Sequence, residues 1–250
     1  AQLSRFGGLE NAFFAVHLVE RILLVLGIYL LSRALNPSSL AAFLSIVVAI
    51  FSFQWNLGGN PFVAPVTIPH TLAIVPAVFA FYLSLRQSFL ATTVLAAVAT
   101  YFHTLIGLEV MLLLAGYLLV RNGIRSKLLW VAPALYALVA APVLVPVALA
   151  QLQSAQTATL SAAEYISIVG QLRGPWHYFP SSWSVASYVT FLVYLLGGAL
   201  SAFFIRAKLD RDKSKQLMFF IGMVFALCVI GTVFVEWIPS SVVLKLQFFR

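Results

Sequence analysis

The sequence predicts an all-α fold, a polytopic transmembrane helical bundle with about seven or eight membrane crossings, several of them short and broken by Gly or Pro. Three observations carry that expectation. Of 250 residues, 62% are hydrophobic and 9% charged, whereas a soluble domain carries about 25% charged residues. The apolar stretches are continuous, as in "ILLVLGIYLL" and "VMLLLAGYLLV", and do not alternate over about ten residues as barrel strands do. Short polar runs rich in Gly and Pro cut these stretches into pieces near the roughly 20 residues that a crossing needs.

The first crossing is expected at 12–33, "AFFAVHLVERILLVLGIYLLSR". "NPSS" then supplies helix-start chemistry, and the second crossing follows at 39–54. A loop without charge, "QWNLGGNPFVAPVTIPH", leads to the third at 71–86. Residues 89–120 contain neither Lys nor Arg. One helix of that length would reach about 48 Å, too long for a hydrocarbon core of about 30 Å without steep tilt. The stretch is therefore split near Gly107 into 89–106 and 108–122. Later crossings end near 150 and 205, the latter beginning near Val185, and the last covers 216–235. "GGAL" at 197–200, and Gly222 with Ala226, read as close helix contacts.

Charge supports the split. With it, Arg33, Arg86, "RNGIRSK" (121–127) and "RAKLDRDKSK" (206–215) all fall on one side, and they hold ten of the fifteen Lys and Arg. The positive-inside rule makes that side cytoplasmic, in a membrane expected to be the bacterial inner membrane. The net charge of +8 then belongs to cytoplasmic loops, and no nucleic-acid partner is expected. Cys228 is a lone thiol in an apolar run, which excludes an intrachain disulfide. The whole of 1–250 reads as one transmembrane domain. The chain opens on Ala1 without Met and without a signal-peptide pattern, as a piece of a longer protein would. Residues 151–184 form an outer loop, and its "QLQSAQTATLSAAEYISIVGQL" fits a helix lying along the interface.

The same layout puts His17, His70, His103 and His177 on the non-cytoplasmic side, together with Glu10, Glu20, Glu109, Glu164 and Glu236. Trp55, Trp176, Trp183 and Trp237 gather there too, as an interface belt would. His17, Glu20 and Arg21 share one helix face at i, i+3 and i+4. They read either as a functional cluster or as a network that fixes helix packing, with Arg21 snorkelling. His103 and Glu109 in "ATYFHTLIGLEV" sit at the turn of a helical hairpin, either lining an outer cavity or capping the turn. His70 precedes the third crossing, which Thr67 or Thr71 could cap. In "LRGPWHYFPSSW", Arg173 suits a bidentate grip on phosphate and His177 suits proton transfer. Trp176 beside them fits stacking on a sugar ring or anchoring at headgroup level. No HExxH, Walker A, GxGxxG or GxSxG pattern occurs. No cofactor is expected, and a divalent metal has no support from histidine spacing.

These short broken helices, "IPHTLA", "YFHTLIGLEV", "RGPWHYFPSSW" and the final "LKLQFFR" resemble the GT-C-type polytopic membrane glycosyltransferases and their bacterial relatives. The likeness extends over most of the chain through short motifs. It implies a polyprenyl-phosphate sugar donor, inverting transfer and an active site on the outer face. It also implies a catalytic Asp or Glu in the first outer loop after an initial crossing, an element this sequence does not display. The transfer needs a carboxylate base, for which Glu20 or Glu109 is a candidate. It also needs groups that stabilise the leaving phosphate, for which Arg173 with His177 or His103 are candidates, and His17, Arg21, His70 and Trp176 complete the candidate substrate contacts. Two other functions fit the same residues: a non-enzymatic subunit packed among other membrane proteins, and a transporter or flippase. No internal repeat joins the halves as transporter folds often require.

Overall fold

The computed structural model describes residues 8–51, 67–157, 161–172 and 179–238. Within them every regular element is helical. In chain order these are α1 (Leu9–Leu35), α2 (Ser39–Phe51), α3 (Pro69–Leu85), α4 (Phe89–Phe102), α5 (Thr104–Asn122), α6 (Lys127–Thr157), α7 (Ala162–Tyr165), α8 (Val185–Ile205) and α9 (Arg211–Thr232). π-Helical turns at Ile166–Leu172 and Val233–Trp237, and a 3-10 turn at Pro180–Ser182, complete the set. Five helical stretches are long and apolar enough to cross a membrane: 9–35, 104–122, 127–153, 185–205 and 211–237. Helices α2, α3 and α4 are apolar but shorter, at 13, 17 and 14 residues. An integral membrane protein is the class these helices fit.

The chain divides into two compact units, and the boundary falls inside α6 between Val145 and Pro146. Pro142 and Pro146 lie one turn apart there. Each removes a backbone donor from the helical ladder.

The first unit is built around α3, whose residues from His70 to Leu85 are mostly buried. Its start is closed by Thr71, whose hydroxyl accepts from Ile68 N–H at 3.2 Å and donates to Ile68 C=O at 3.0 Å. Helix α1 lies along α3 with Glu20, Leu24, Gly27 and Ile28 inward. These are the i, i+4, i+7, i+8 positions of one helix face. A Cβ at Gly27 would stand 3.0 Å from Val78 and 3.2 Å from Phe79, so glycine sets how closely the two helices approach. Thr67 meets Glu20 while Val78 meets Gly27, so α1 and α3 run parallel. Between them the chain turns back at "NPSS". There Asn36 Oδ1 accepts from Ser38 N–H at 3.0 Å and Ser38 Oγ accepts from Ala41 N–H at 3.3 Å. Arg33 donates to Pro37 C=O and Ser39 Oγ.

Helices α4 and α5 form an antiparallel hairpin. The Phe89 ring at the start of α4 lies 6.1 Å from that of Tyr117 near the end of α5. The Arg121 guanidinium stacks 5.4 Å over Phe89 and donates to Gln87. The expected split is therefore present, but its position differs. Helix α4 ends at Phe102, and the turn is His103 alone, extended at φ −150°, ψ 105°. Gly107 is not the turn. It lies within α5, where a Cβ would stand 2.0 Å from Thr100 Oγ1, 2.5 Å from Ala96 C=O and 2.6 Å from Thr100 N. Its role is to let two helices touch. The buried α4 threonines satisfy their hydroxyls on carbonyls one turn back, Thr93 on Phe89 at 2.9 Å and Thr100 on Ala96 at 3.1 Å, as apolar surroundings demand. Thr100 also bonds Tyr136 Oη at 2.7 Å, which ties α6 to the hairpin.

One end of this unit thus carries Arg33, Arg86 and Arg121, and the opposite end carries His17, Thr67, His70 and His103. That separation agrees with the grouping of charges along the sequence.

The second unit has a small core of Ile166, Phe179 and Val235, packed by Tyr165, Val169, Trp183, Phe191 and Cys228. Glu236 accepts from Ser181 N–H at 2.7 Å, and Tyr188 Oη donates to Pro180 C=O at 2.6 Å. The interfacial helix expected across 151–172 is not one helix. Helix α6 runs to Thr157, and α7 then passes into the π-helical turns of 166–172. The small-residue contacts expected at 197–200 and 222 are also absent among the described residues. A Cβ on Gly197, Gly198 or Gly222 would meet nothing within 4 Å.

Helix α9 starts on Asp210, whose Oδ1 accepts from Lys213 N–H at 2.8 Å. That bond holds the Asp210 carboxyl below its ordinary value. A carboxyl lowered in the folded chain stabilises above its unfolded pKa of about 3.9. It loses that contribution as pH falls through the lower folded value. Asp210→Ala is expected to cost about 1 kcal/mol at neutral pH. Asp210→Asn should keep the cap and lose the acid dependence. Thermal melting of the purified protein at neutral and acid pH separates the two.

Candidate functional site

The polar cluster lies where α1 passes the start of α3. Glu20 is 2% exposed, an unusual place for a carboxylate unless it is paired. Thr67 Oγ1 donates to Glu20 Oε2 at 2.7 Å. His17 Nδ1 lies 2.8 Å from the same hydroxyl, and Arg21 Nε donates to His17 Nε2 at 3.4 Å. Arg21 Nη1 stands 3.7 Å from Glu20 Oε1.

These contacts have one direction. An arginine Nε can only donate, so His17 Nε2 accepts and its proton is on Nδ1. His17 Nδ1 then donates to Thr67, and Thr67 donates to Glu20. The chain Arg21–His17–Thr67–Glu20 ends on a carboxylate that only accepts. Oε2 is held by Thr67, and Oε1 has no hydrogen-bond donor among the described residues.

His70 is in the first turn of α3, three residues after Thr67, and is buried. Its ring meets that of His103, the single-residue tip of the α4–α5 hairpin, edge to face at 5.5 Å. Three distant stretches therefore converge at this end: the middle of α1, the entrance of α3 and the hairpin tip. His103 is the C-cap of α4, its N–H donating to Ala99 C=O, and the N-cap of α5, without a side-chain cap hydrogen bond. Glu109 lies six residues further along α5 and is half-buried. Arg173, Trp176 and His177 lie outside the described residues, as does Trp55.

Beside the cluster runs an open groove of about 580 Å³. Its walls are Ala12, Val16 and Val19 of α1 and Leu95, Val98 and Phe102 of α4, and its floor is α3. Its accessible surface is wholly apolar. Glu20 sits in the wall with its side chain covered. Among the described residues no group of three or more His, Cys, Asp or Glu is arranged to hold a metal ion.

Thr67 is the member that sequence reading assigned to another task. It had the pattern of a helix cap, and its partners His17 and Glu20 are 50 and 47 residues away. No local spacing could have joined them. The chain matches no protein-family model, no curated protein and no solved structure.

Proposed function

We propose that this chain is a polytopic membrane enzyme transferring a sugar from a polyprenyl-phosphate donor, with its reaction centre at the histidine-bearing end of the first unit. The observation that carries the reading is the one-way chain ending on Glu20. It holds one carboxylate oxygen on Thr67, while the other, 3.7 Å from Arg21 Nη1, is the one to accept a proton from a sugar or lipid hydroxyl. Arg21 and His17 are the more exposed members, with side chains 22% and 31% accessible. Arg21 is the group to meet the phosphate of the donor, and His17, with both ring nitrogens engaged by Thr67 and Arg21, orients it. Because the Glu20 side chain is covered, substrate entry has to expose it, which keeps water from the base until then. The arginine-bearing end with the 121–127 loop faces the cytoplasm.

The test is sugar transfer by the purified protein in vesicles containing a polyprenyl-phosphate sugar and a hydroxyl acceptor. Glu20→Gln should lower kcat at least about 100-fold, the scale of general-base catalysis, and Arg21→Ala should raise KM for the donor. Transfer that persists undiminished in Glu20→Gln removes Glu20 as base. A second reading, a non-enzymatic subunit of a larger membrane assembly, draws on α8, of which only Ala202 is buried. Co-purification of stoichiometric membrane partners without transfer would favour it.

A further inference from the structure

We propose that the arginine-bearing end of the first unit binds the headgroup of an anionic phospholipid, its phosphate held by Arg121 with Arg86 and Lys127 beside it. This site lies at the opposite end of the unit from Glu20 and is independent of sugar transfer.

Charge selects an anion. Arg33, Arg86, Arg121, Arg125 and Lys127 all belong to this end. Residues 1–145 contain only Glu10, Glu20 and Glu109 as carboxylates, and all lie toward the histidine-bearing end. Along α1 and α5, Glu20 and Glu109 stand about 18–20 Å from Arg33 and Arg121 at 1.5 Å per residue. Two of the arginines are oriented by neutral groups. Arg33 donates to Pro37 C=O and Ser39 Oγ. Arg121 donates to the Gln87 side-chain carbonyl and stacks over Phe89 and Tyr117. Such partners fix a guanidinium without neutralising it, and a guanidinium so fixed suits the oxygens of a phosphate.

The backbone at Gln87 serves the same placement. Helix α3 ends in a Schellman turn, with Ser88 N–H donating to Leu83 C=O and Gln87 N–H to Ser84 C=O, both at 2.9 Å. Gln87 is its left-handed residue, at φ 61°, the position glycine usually takes. Glutamine is strained there relative to glycine. What it supplies in exchange is the side-chain oxygen that holds Arg121.

Location selects a lipid as the source of the anion. Between the starts of α4 and α6 is a hollow of about 310 Å³, bordered by Gln87 to Ala91 and by Leu128. Arg86 and Lys127 adjoin those residues in the chain, and Arg121 is bonded to Gln87 and stacked on Phe89. Three membrane-length helices have an end here, at Leu35, Asn122 and Lys127. Trp130, 62% exposed, turns its indole N–H back to Ile124 C=O at 2.9 Å, as an anchor at headgroup level does. Leu90, Val120 and Ile124 are exposed among the cations. An acidic partner in water matches the cations alone. An anionic phospholipid matches both, with its phosphate on the cations and the top of its tails on the apolar side chains.

The experiment uses the full chain in a mild detergent, titrated with phosphatidylglycerol or phosphatidylcholine, with bound lipid counted by native mass spectrometry. Phosphatidylglycerol is expected to bind at least about tenfold more tightly, since each cation near a lipid phosphate contributes about fivefold. Arg121→Gln should lower that ratio about fivefold. Gln87→Gly is the sharper variant, because it keeps the net charge and gives the turn its preferred residue. Its melting temperature should equal or exceed that of the unaltered protein, while its preference for phosphatidylglycerol falls by a similar factor. Equal binding of the two lipids overturns the proposal. So does a preference that Arg121→Gln or Gln87→Gly leaves intact. Displacement of the lipid by millimolar glycerol phosphate would make the ligand a soluble phosphate, and displacement by polyglutamate would make it an acidic protein. Either result overturns the proposal as well.

Discussion

Glu20→Ala is expected to lower stability by about 3 kcal/mol, the low end for breaking a buried ion pair, because Arg21 keeps 22% of its side chain accessible. The loss has two parts. Arg21 loses the carboxylate 3.7 Å from its Nη1, and the Thr67 hydroxyl loses the acceptor it meets at 2.7 Å. Glu20→Gln removes the charge and retains a carbonyl oxygen for Thr67, so its cost should be about 1–2 kcal/mol. The ordering wild type, glutamine, alanine is the result to check, by thermal melting in a mild detergent. An alanine variant that melts with the wild type would show that the carboxylate does not hold α1 to α3. The same pair of variants separates fold from chemistry, since a catalytic base is lost equally in both.

Gly107→Ala is the second large effect. One methyl group would stand within 2.6 Å of three atoms, two of them backbone atoms of α4, Ala96 O and Thr100 N. Backbone cannot rotate aside as a side chain can, so the hairpin has to open. Overpacking of this kind costs about 3 kcal/mol or more. Truncating the neighbour, in the double variant Thr100→Ala with Gly107→Ala, removes the 2.0 Å clash with Oγ1 but leaves both backbone contacts. It should therefore not restore the melting temperature. Full recovery in the double variant would mean that the side chain alone sets the spacing.

Much of the architecture was legible because it follows from amounts and intervals of apolar residues. Runs such as 12–33 and 185–205 appear as helices within a few residues of their expected limits. The two helices between 89 and 122 followed from length and from grouping Arg33, Arg86 and Arg121 together. What sequence could not place was the turn. Gly107 looked like the flexible point, yet His103 makes the bend and glycine serves a close contact with Thr100 that spacing does not reveal. The same limit applies in reverse at Gly197, Gly198 and Gly222, where small residues suggested contact and none is made among the described residues. For the site, the face shared by His17, Glu20 and Arg21 was visible from helical periodicity. Its connection to Thr67, and the meeting of His70 with His103, depend on helices brought together from distant parts of the chain.

The brevity of α4 has a consequence for the bilayer itself. Its 14 residues reach about 21 Å at 1.5 Å per residue, against a hydrocarbon thickness of about 30 Å. Were α4 to cross a bilayer, the leaflets beside it would have to thin, at a cost of fractions of a kcal/mol per Å. Its hairpin partner α5, with 19 residues, reaches about 28 Å and would need little of that thinning, so the strain would fall on one arm of the hairpin.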